Sequence, residues 1–177
     1  MYRQVHKLSH EEAAYIAGII DGEGTISLSR RHRADNRQLV VSISSTEPEL
    51  LEYVRRTIGA GRINNKRTYR SNHTPSVTYV IDNRQALALL EQVTPYLRTY
   101  KVLRAQLVLR DYLRLTPRNG KYTTIQLRER ERFVEQFLRI RTRHLSLRRR
   151  SSLFAGVLRW FQGRSPGPFS TPRPTFR

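Results

Sequence analysis

Asp21 and Glu23 flank Gly22 at the end of a run, EEAAYIAGIIDGEG, whose apolar spacing predicts a helix. At a helix C-terminus the macrodipole is negative, and an exposed carboxylate there is unfavourable by ~0.3–1 kcal/mol. Acids kept at that end are either solvated or neutralised by a cation. The last-turn carbonyls, that of Gly22 included, lie beside them. Oxygen donors from side chain and backbone, with no His or Cys close by, describe a site for a hard cation, Mg²⁺ or Ca²⁺. A fragment of a calcium loop is a second reading, although DGEG does not follow the EF-hand template. On the same helix Ala14, Gly18 and Gly22 recur at i, i+4 and i+8, so one face carries only small residues. Such a face admits a partner helix at close range, or it seats the helix tightly within its own chain.

The surrounding elements are readable from spacing. Ser9 and Glu12 form a capping-box signature that opens the helix, and Gly22 and Gly24 close it. TISLSRRHR and RQLVVSISS then alternate, with Ile26, Leu28, Leu39, Val41 and Ile43 on one side, which predicts a hairpin with one apolar and one mostly polar face. Thr46 to Glu49 repeats the capping-box pattern before a second helix that uses Leu50, Leu51, Val54 and Ile58, stopped at Gly59 and Gly61. A second hairpin is expected from RINNKRTYR and SVTYVI, with Val77, Tyr79 and Ile81 inward. Asp82 or Asn83 caps a third helix ending near Pro95. Two further helical stretches, about 99–115 and 125–145, follow, separated by PRNG. The order α-β-β-α-β-β-α predicts an α+β fold with one four-stranded antiparallel sheet, helices on one face and a polar face left open. A domain over residues 1–147 and a flexible basic tail over 148–177, rich in Pro, Ser and Gly, are expected.

The chain has 177 residues, 33 Lys+Arg against 14 Asp+Glu, and a formal net charge of +19. Only Lys7, Lys66, Lys101 and Lys121 are lysines, so 29 of the basic residues are arginine. That excess attracts polyanions, and arginine forms planar bidentate contacts to phosphate and guanine, although an Arg-favouring GC-rich genome explains the bias equally. Without the tail the net charge is still +12. The absence of cysteine excludes disulfide frameworks and Cys-ligated metal sites. The strongly apolar stretch Ala13 to Ile20 is short of the ~20 residues a membrane helix needs. No membrane association and no small-molecule cofactor are expected. The expected location is intracellular, in the cytoplasm, the nucleoid or an organelle.

If the small-residue face meets its own copy across a two-fold axis, both acidic helix ends come together and divalent ions are held between subunits. The sheet then continues into a saddle on double-stranded DNA, each half spanning roughly 30 Å or on the order of nine base pairs. IAGIIDGEG, Ile16 to Gly24, resembles the signature of the LAGLIDADG homing endonucleases, and the element order and the TISL strand fit the same family. The resemblance covers about residues 8 to 145 and contains a single motif.

A single motif implies a homodimer on a nearly palindromic site, with Ala14, Gly18, Asp21 and Gly22 at the dimer interface. The resemblance further implies Glu23 as the catalytic metal ligand, assisted by the Gly22 carbonyl, and Lys101 as the basic residue near the scissile phosphate. Glu47 stands where the family often has a polar residue that organises solvent, or it simply stabilises the first turn of its helix. Mg²⁺ is the implied cofactor, and Ca²⁺ is expected to support binding without cleavage. The open face would read the major groove through Ser27, Ser29, Arg31, Arg33, Gln38, Ser42, Ser44, Asn64, Lys66, Thr68, Arg70 and Thr78. The implied activity is metal-dependent, sequence-specific double-strand cleavage of DNA. The alternative is a binder on the same fold without catalysis, an intron RNA maturase or a DNA-binding regulator. A ribosomal or structural RNA-binding protein accounts for the charge but not for the acid-ended helix.

Overall fold

The first helix, α1 (His10–Glu23), begins with the expected reciprocal cap: Ser9 Oγ accepts from Glu12 N at 3.2 Å while the Glu12 carboxylate accepts from Ser9 N at 2.8 Å. The computed structural model describes residues 4–30, 32, 35–65, 75–117 and 120–140. These fall in one compact unit, Met1–Thr142. The tail expected from residue 148 lies outside them.

After α1 the chain forms β1 (Gly24–Ser29), β2 (Gln38–Ser45), α2 (Pro48–Ile58), β3 (Arg62–Asn65), β4 (Val77–Asp82) and α3 (Asn83–Val93). A 3₁₀ turn (Thr94–Tyr96), α4 (Lys101–Asp111) and α5 (Thr124–Arg139) complete it. The four strands form one antiparallel sheet in the order β1-β2-β4-β3, so the two hairpins meet through β2 and β4. Alternation along the strands places Ile26, Leu28, Leu39, Val41, Ile43, Tyr79 and Ile81 in the core, as expected, with Val77 packed at its margin. Ile16 and Ile20 of α1, Leu51, Val54 and Ile58 of α2, and Leu89, Leu90 and Val93 of α3 close over that face. Each such fully buried aliphatic side chain contributes on the order of 1.5–3 kcal/mol.

Gly24 joins α1 to β1 with no loop, and this junction sets where the acids lie. A Cβ there would stand 2.7 Å from the Ile20 Cα and 2.8 Å from its carbonyl oxygen, so only glycine lets the strand leave the helix so abruptly.

Three local expectations change. The Thr46–Glu49 capping box does not form: Pro48, preset for the first helical position, makes Glu47 the N-cap, and its side chain makes no capping bond. Asp82 is the N-cap residue of α3, as expected, but its side chain makes no capping bond and its carboxylate pairs with Arg62 at 2.8 Å. Helix α4 starts at Lys101 rather than Thr99, and α5 starts behind a capping box of Thr123 and Gln126.

Candidate metal and nucleic-acid site

Helix α1 ends without a basic residue in its last turn, so the positive charge that stabilises its terminus comes from far along the chain. Lys101, buried at 6% exposure, donates from Nζ to the carbonyls of Ile20 at 2.7 Å and Asp21 at 2.8 Å. The Asp21 carboxylate answers in the other direction. It accepts from Arg98 N at 2.6 Å, Thr99 Oγ1 at 2.6 Å and Thr99 N at 3.4 Å, gripping the turn that leads into α4. Thr99 Oγ1 in turn accepts from Lys101 N at 3.3 Å and closes the ring of bonds. Burial pushes the Lys101 ammonium below the ordinary lysine value, an effect opposed by the charges of Asp21 and Glu23 and reinforced by Arg104.

This geometry sets the surroundings of two residues singled out in the sequence. Lys101 is turned into the chain as a cap for α1. Both Asp21 oxygens, of a residue expected at a helix–helix interface, accept bonds from within the chain. The reason is the same for both: Gly24 turns the strand so sharply that the last carbonyls of α1 face the start of α4.

Gly22 and Glu23 are left exposed beyond this lock. Among the described residues nothing donates to the Glu23 carboxylate or to the Gly22 carbonyl. The two supply one carboxylate and one neutral oxygen, a donor set that fits a hard cation completed by waters and phosphate oxygens. No cluster of three or more His, Asp or Glu able to hold a metal occurs among the described residues, so one chain offers half a ligand shell. Glu47 is exposed, and Ser45 Oγ accepts from its backbone N–H at 3.0 Å. The pairing of Gly24 with Ile43 sets the end of β2, and Glu47 just past it, at the same end of the sheet as Glu23.

The open face is ordered by the register into cross-strand rows. Ser29 stands beside Gln38, then Ser27 beside Val40 and Asp82. Thr25, Ser42, Val80 and Arg62 form the next row, and Ser44, Thr78 and Asn64 the one nearest the α1 end. Ser44 and Thr78 hydroxyls hydrogen-bond at 3.0 Å, and Arg62 and Asp82 form an ion pair at 2.8 Å. Thus Ser27, Ser29, Gln38, Ser42, Ser44, Asn64 and Thr78 share one surface, as expected, while Arg31, Arg33, Lys66, Thr68 and Arg70 lie outside the described residues. Thr25 and Arg62 belong to the same face and were missed. Thr25 has the parity of Ser27, a signal present in the sequence.

Ala14, Gly18 and Gly22 form an exposed stripe on α1, and a Cβ built on Gly18 or Gly22 would meet nothing within 4 Å. Close packing of this stripe within the chain is therefore excluded among the described residues. Beside it Tyr15 and Tyr53 stack edge to face, with centroids 5.7 Å apart, and remain 52% and 38% exposed.

Residues 10–94 match the family model of the LAGLIDADG-like domain, a segment running from the first residue of α1 to one residue past α3. The chain carries a LAGLIDADG-like domain over these residues. Its fold is that of the family's homing endonucleases. It is similar to I-CvuI in complex with its target in the presence of 2 mM Ca, with TM-score 0.61 and 19% identity over 86% of this chain and 94% of that one. The archaeal intron-encoded homing endonuclease I-Vdi141I complexed with DNA is similar at TM-score 0.57 and 20% identity, over 78% of this chain and 89% of that one. No curated protein matches the sequence. The segment matched by the LAGLIDADG model contains Gly22, Glu23 and Glu47 but stops short of Thr99 and Lys101, so the lock on α1 comes from outside it. The helix-to-strand junction at Gly24 also removes the calcium-loop reading of DGEG. No described helix is long and apolar enough to cross a membrane.

Proposed function

We propose that this LAGLIDADG protein is a divalent-metal-dependent endonuclease that cuts both strands of a long, nearly palindromic DNA site as a homodimer. The observation that carries this reading is the contrast at the end of α1: Asp21 and Lys101 are engaged within the chain, while Glu23 and the Gly22 carbonyl are left to solvent beside an exposed small-residue face. Similar solved structures hold DNA, one of them in the presence of Ca and another, with I-CvuI, in the presence of Mg with the DNA not cleaved.

Glu23 and Gly22 would hold Mg²⁺, half of each ligand set coming from either copy. Bound there, the ion would supply Lewis-acid stabilisation of charge on the phosphodiester. Glu23 would fix its position, because the tight Gly24 junction sets where the Gly22–Glu23 backbone lies. Lys101 acts as a positioning residue: its buried charge holds the terminal carbonyls of α1 and keeps the Gly22–Glu23 step in place. The rows headed by Thr25, Ser27 and Ser29 orient the duplex in its major groove. β2, with eight residues, spans about 26 Å, enough for about eight base pairs per half. No protein nucleophile is required.

The test uses purified protein and a duplex made by joining the sequences that flank its gene. In Mg²⁺ the wild type is expected to cut both strands, and Glu23→Gln to lower the rate by roughly 10²–10³-fold or more while binding in Ca²⁺ is kept. An intact duplex with tight binding by the wild type would replace the nuclease with a catalytically inactive binder. Gly18→Leu is expected to leave the protomer folded and to convert the dimer to monomer in light scattering. A monomeric wild type on DNA would remove the two-fold arrangement.

A further inference from the structure

At the end of the sheet opposite Glu23, where β1 stops and β2 begins, lies a cavity of about 710 Å³ with Gln38, Arg84, Tyr112, Tyr122 and Arg130 in its wall. Arg130 is 5% exposed, yet among the described residues no carboxylate pairs with it. It donates at 2.7 Å to the Leu115 carbonyl and also to that of Arg37, and lies 5.4 Å over the Tyr122 ring. Arg84, half-buried, donates to the Thr116 carbonyl at 3.2 Å. Asp35 is the one acid among the described lining residues, and its carboxylate accepts from His32 N at 3.0 Å. Carbonyls satisfy a guanidinium's hydrogen bonds without cancelling its charge, and a buried cation without a counter-charge is costly. The low-dielectric wall carries that uncompensated field into the cavity. The cavity is therefore suited to an anion.

The register identifies which anion is within reach. Gln38 lines the cavity and also stands in the outermost row of the open face, beside Ser29. From Gly24 to Ser29 is about 17 Å along β1, the length of about five base pairs. We propose that this cavity is a phosphate subsite that takes a backbone phosphodiester of the bound duplex, about five base pairs outward from the α1 end. Arg84 makes the direct charge-assisted contact, and Arg130 supplies field from behind it. This inference rests on the duplex-binding reading above, but not on cleavage.

Affinity for a short random-sequence duplex, measured in Ca²⁺ across a salt series, tests it. Each lost phosphate contact lowers the magnitude of the log K against log salt slope by about 0.9. Arg84→Gln is expected to show that loss per bound chain, and Arg84→Lys to recover most of it. Asn36→Asp, an exposed change in the cavity wall that leaves folding untouched, is expected to weaken binding similarly. Arg139→Gln, which removes the same charge from an exposed pair with Glu135, serves as the control and is expected to keep the wild-type slope. Equal slopes for wild type, Arg84→Gln and Asn36→Asp would overturn the subsite while leaving the nuclease reading standing. A wild type that binds no duplex would sink the nuclease reading itself. If inorganic phosphate raises the Tm of wild type but not of Arg84→Gln, and neither variant alters the DNA slope, the cavity takes free phosphate and the duplex assignment is wrong.

Discussion

At the Gly24 end of the sheet, Lys101 and Asp21 answer each other's helix ends through direct hydrogen bonds. At the Gln38 end the polar groups surround a cavity of about 710 Å³ instead. Both ends join distant stretches of sequence, and both contain a buried cation. The first matches its cation to carbonyls with two neighbouring carboxylates opposing the cost of burial, and leaves one acid, Glu23, outside. The second leaves its cation, Arg130, without an ion-paired carboxylate among the described residues, although Asp35 lines the same cavity. A site that must hold a metal ion in a fixed place gains from the closed construction, because reorganisation at the ligand would cost affinity. A site that grips a phosphate after the duplex has settled can stay open and wet.

The largest effect separating the two ends is expected from Lys101→Met. It leaves the buried Ile20 carbonyl and the half-buried Asp21 carbonyl without their donor, while the bonds of Asp21 to Arg98 and Thr99 remain. A loss of about 3 kcal/mol, roughly 10 °C in Tm, is expected. Ca²⁺-dependent DNA binding should weaken in parallel, since Gly22 and Glu23 lose their anchor. A variant of unchanged Tm would show that the lock contributes nothing and that the closed end is closed by packing alone.

Removing one hydroxyl at the wet end is expected to matter less. Tyr112 Oη accepts from Leu39 N at 3.0 Å and donates to Asn83 Oδ1 at 3.0 Å, while Asn83 Nδ2 donates to Gln38 at 3.2 Å. Asn83 has a φ of 52°, in the left-handed region that favours glycine, and this network holds it there. Tyr112→Phe would orphan the Leu39 donor in a fully closed structure, but the adjoining cavity admits a replacement water. The expected loss is about 1 kcal/mol, read from a denaturant midpoint. A loss as large as that for Lys101→Met would erase the distinction between the ends.

Much of this was legible from spacing because the signals are local. Ser9 and Glu12 bond each other, and the alternation of Ile26, Leu28, Leu39, Val41 and Ile43 sets the buried face without reference to any other element. Glu23 was readable as an exposed acid at a helix end for the same reason. Thr46 misled because Pro48 overrode a capping pattern that is correct in isolation. The partners of Asp21 were not readable: two are backbone N–H groups, which carry no residue identity, and the third is the Thr99 hydroxyl, 78 residues away with no local signal linking it to α1. Nor was the burial of Lys101, since an ammonium is ordinarily on the surface and only the placement of α4 against α1 turns it inward. The cavity draws its wall from near Gln38, Arg84, Tyr122 and Arg130, four stretches that periodicity cannot bring together.

The smallest expected effect is a pH dependence that only the closed end should show. Burial sets the Lys101 pKa below its unfolded value of 10.5. Below the folded value the ammonium is charged in both states and the full cost of burying it is present; above 10.5 it is neutral in both and the cost is gone. Between them the unfolded state binds more protons, so stability rises with pH. The stability of wild type relative to Lys101→Met is therefore expected to grow from just below the folded pKa up to pH 10.5, in paired urea titrations. The Glu23 charge holds that pKa up, and a cation seated on Glu23 would cancel its contribution. Adding Ca²⁺ should therefore move the start of the rise to lower pH in wild type and leave it unmoved in Glu23→Gln. If Ca²⁺ shifts both proteins alike, the ion is acting on the surface at large, and the exposed acid beyond the lock is not where it sits.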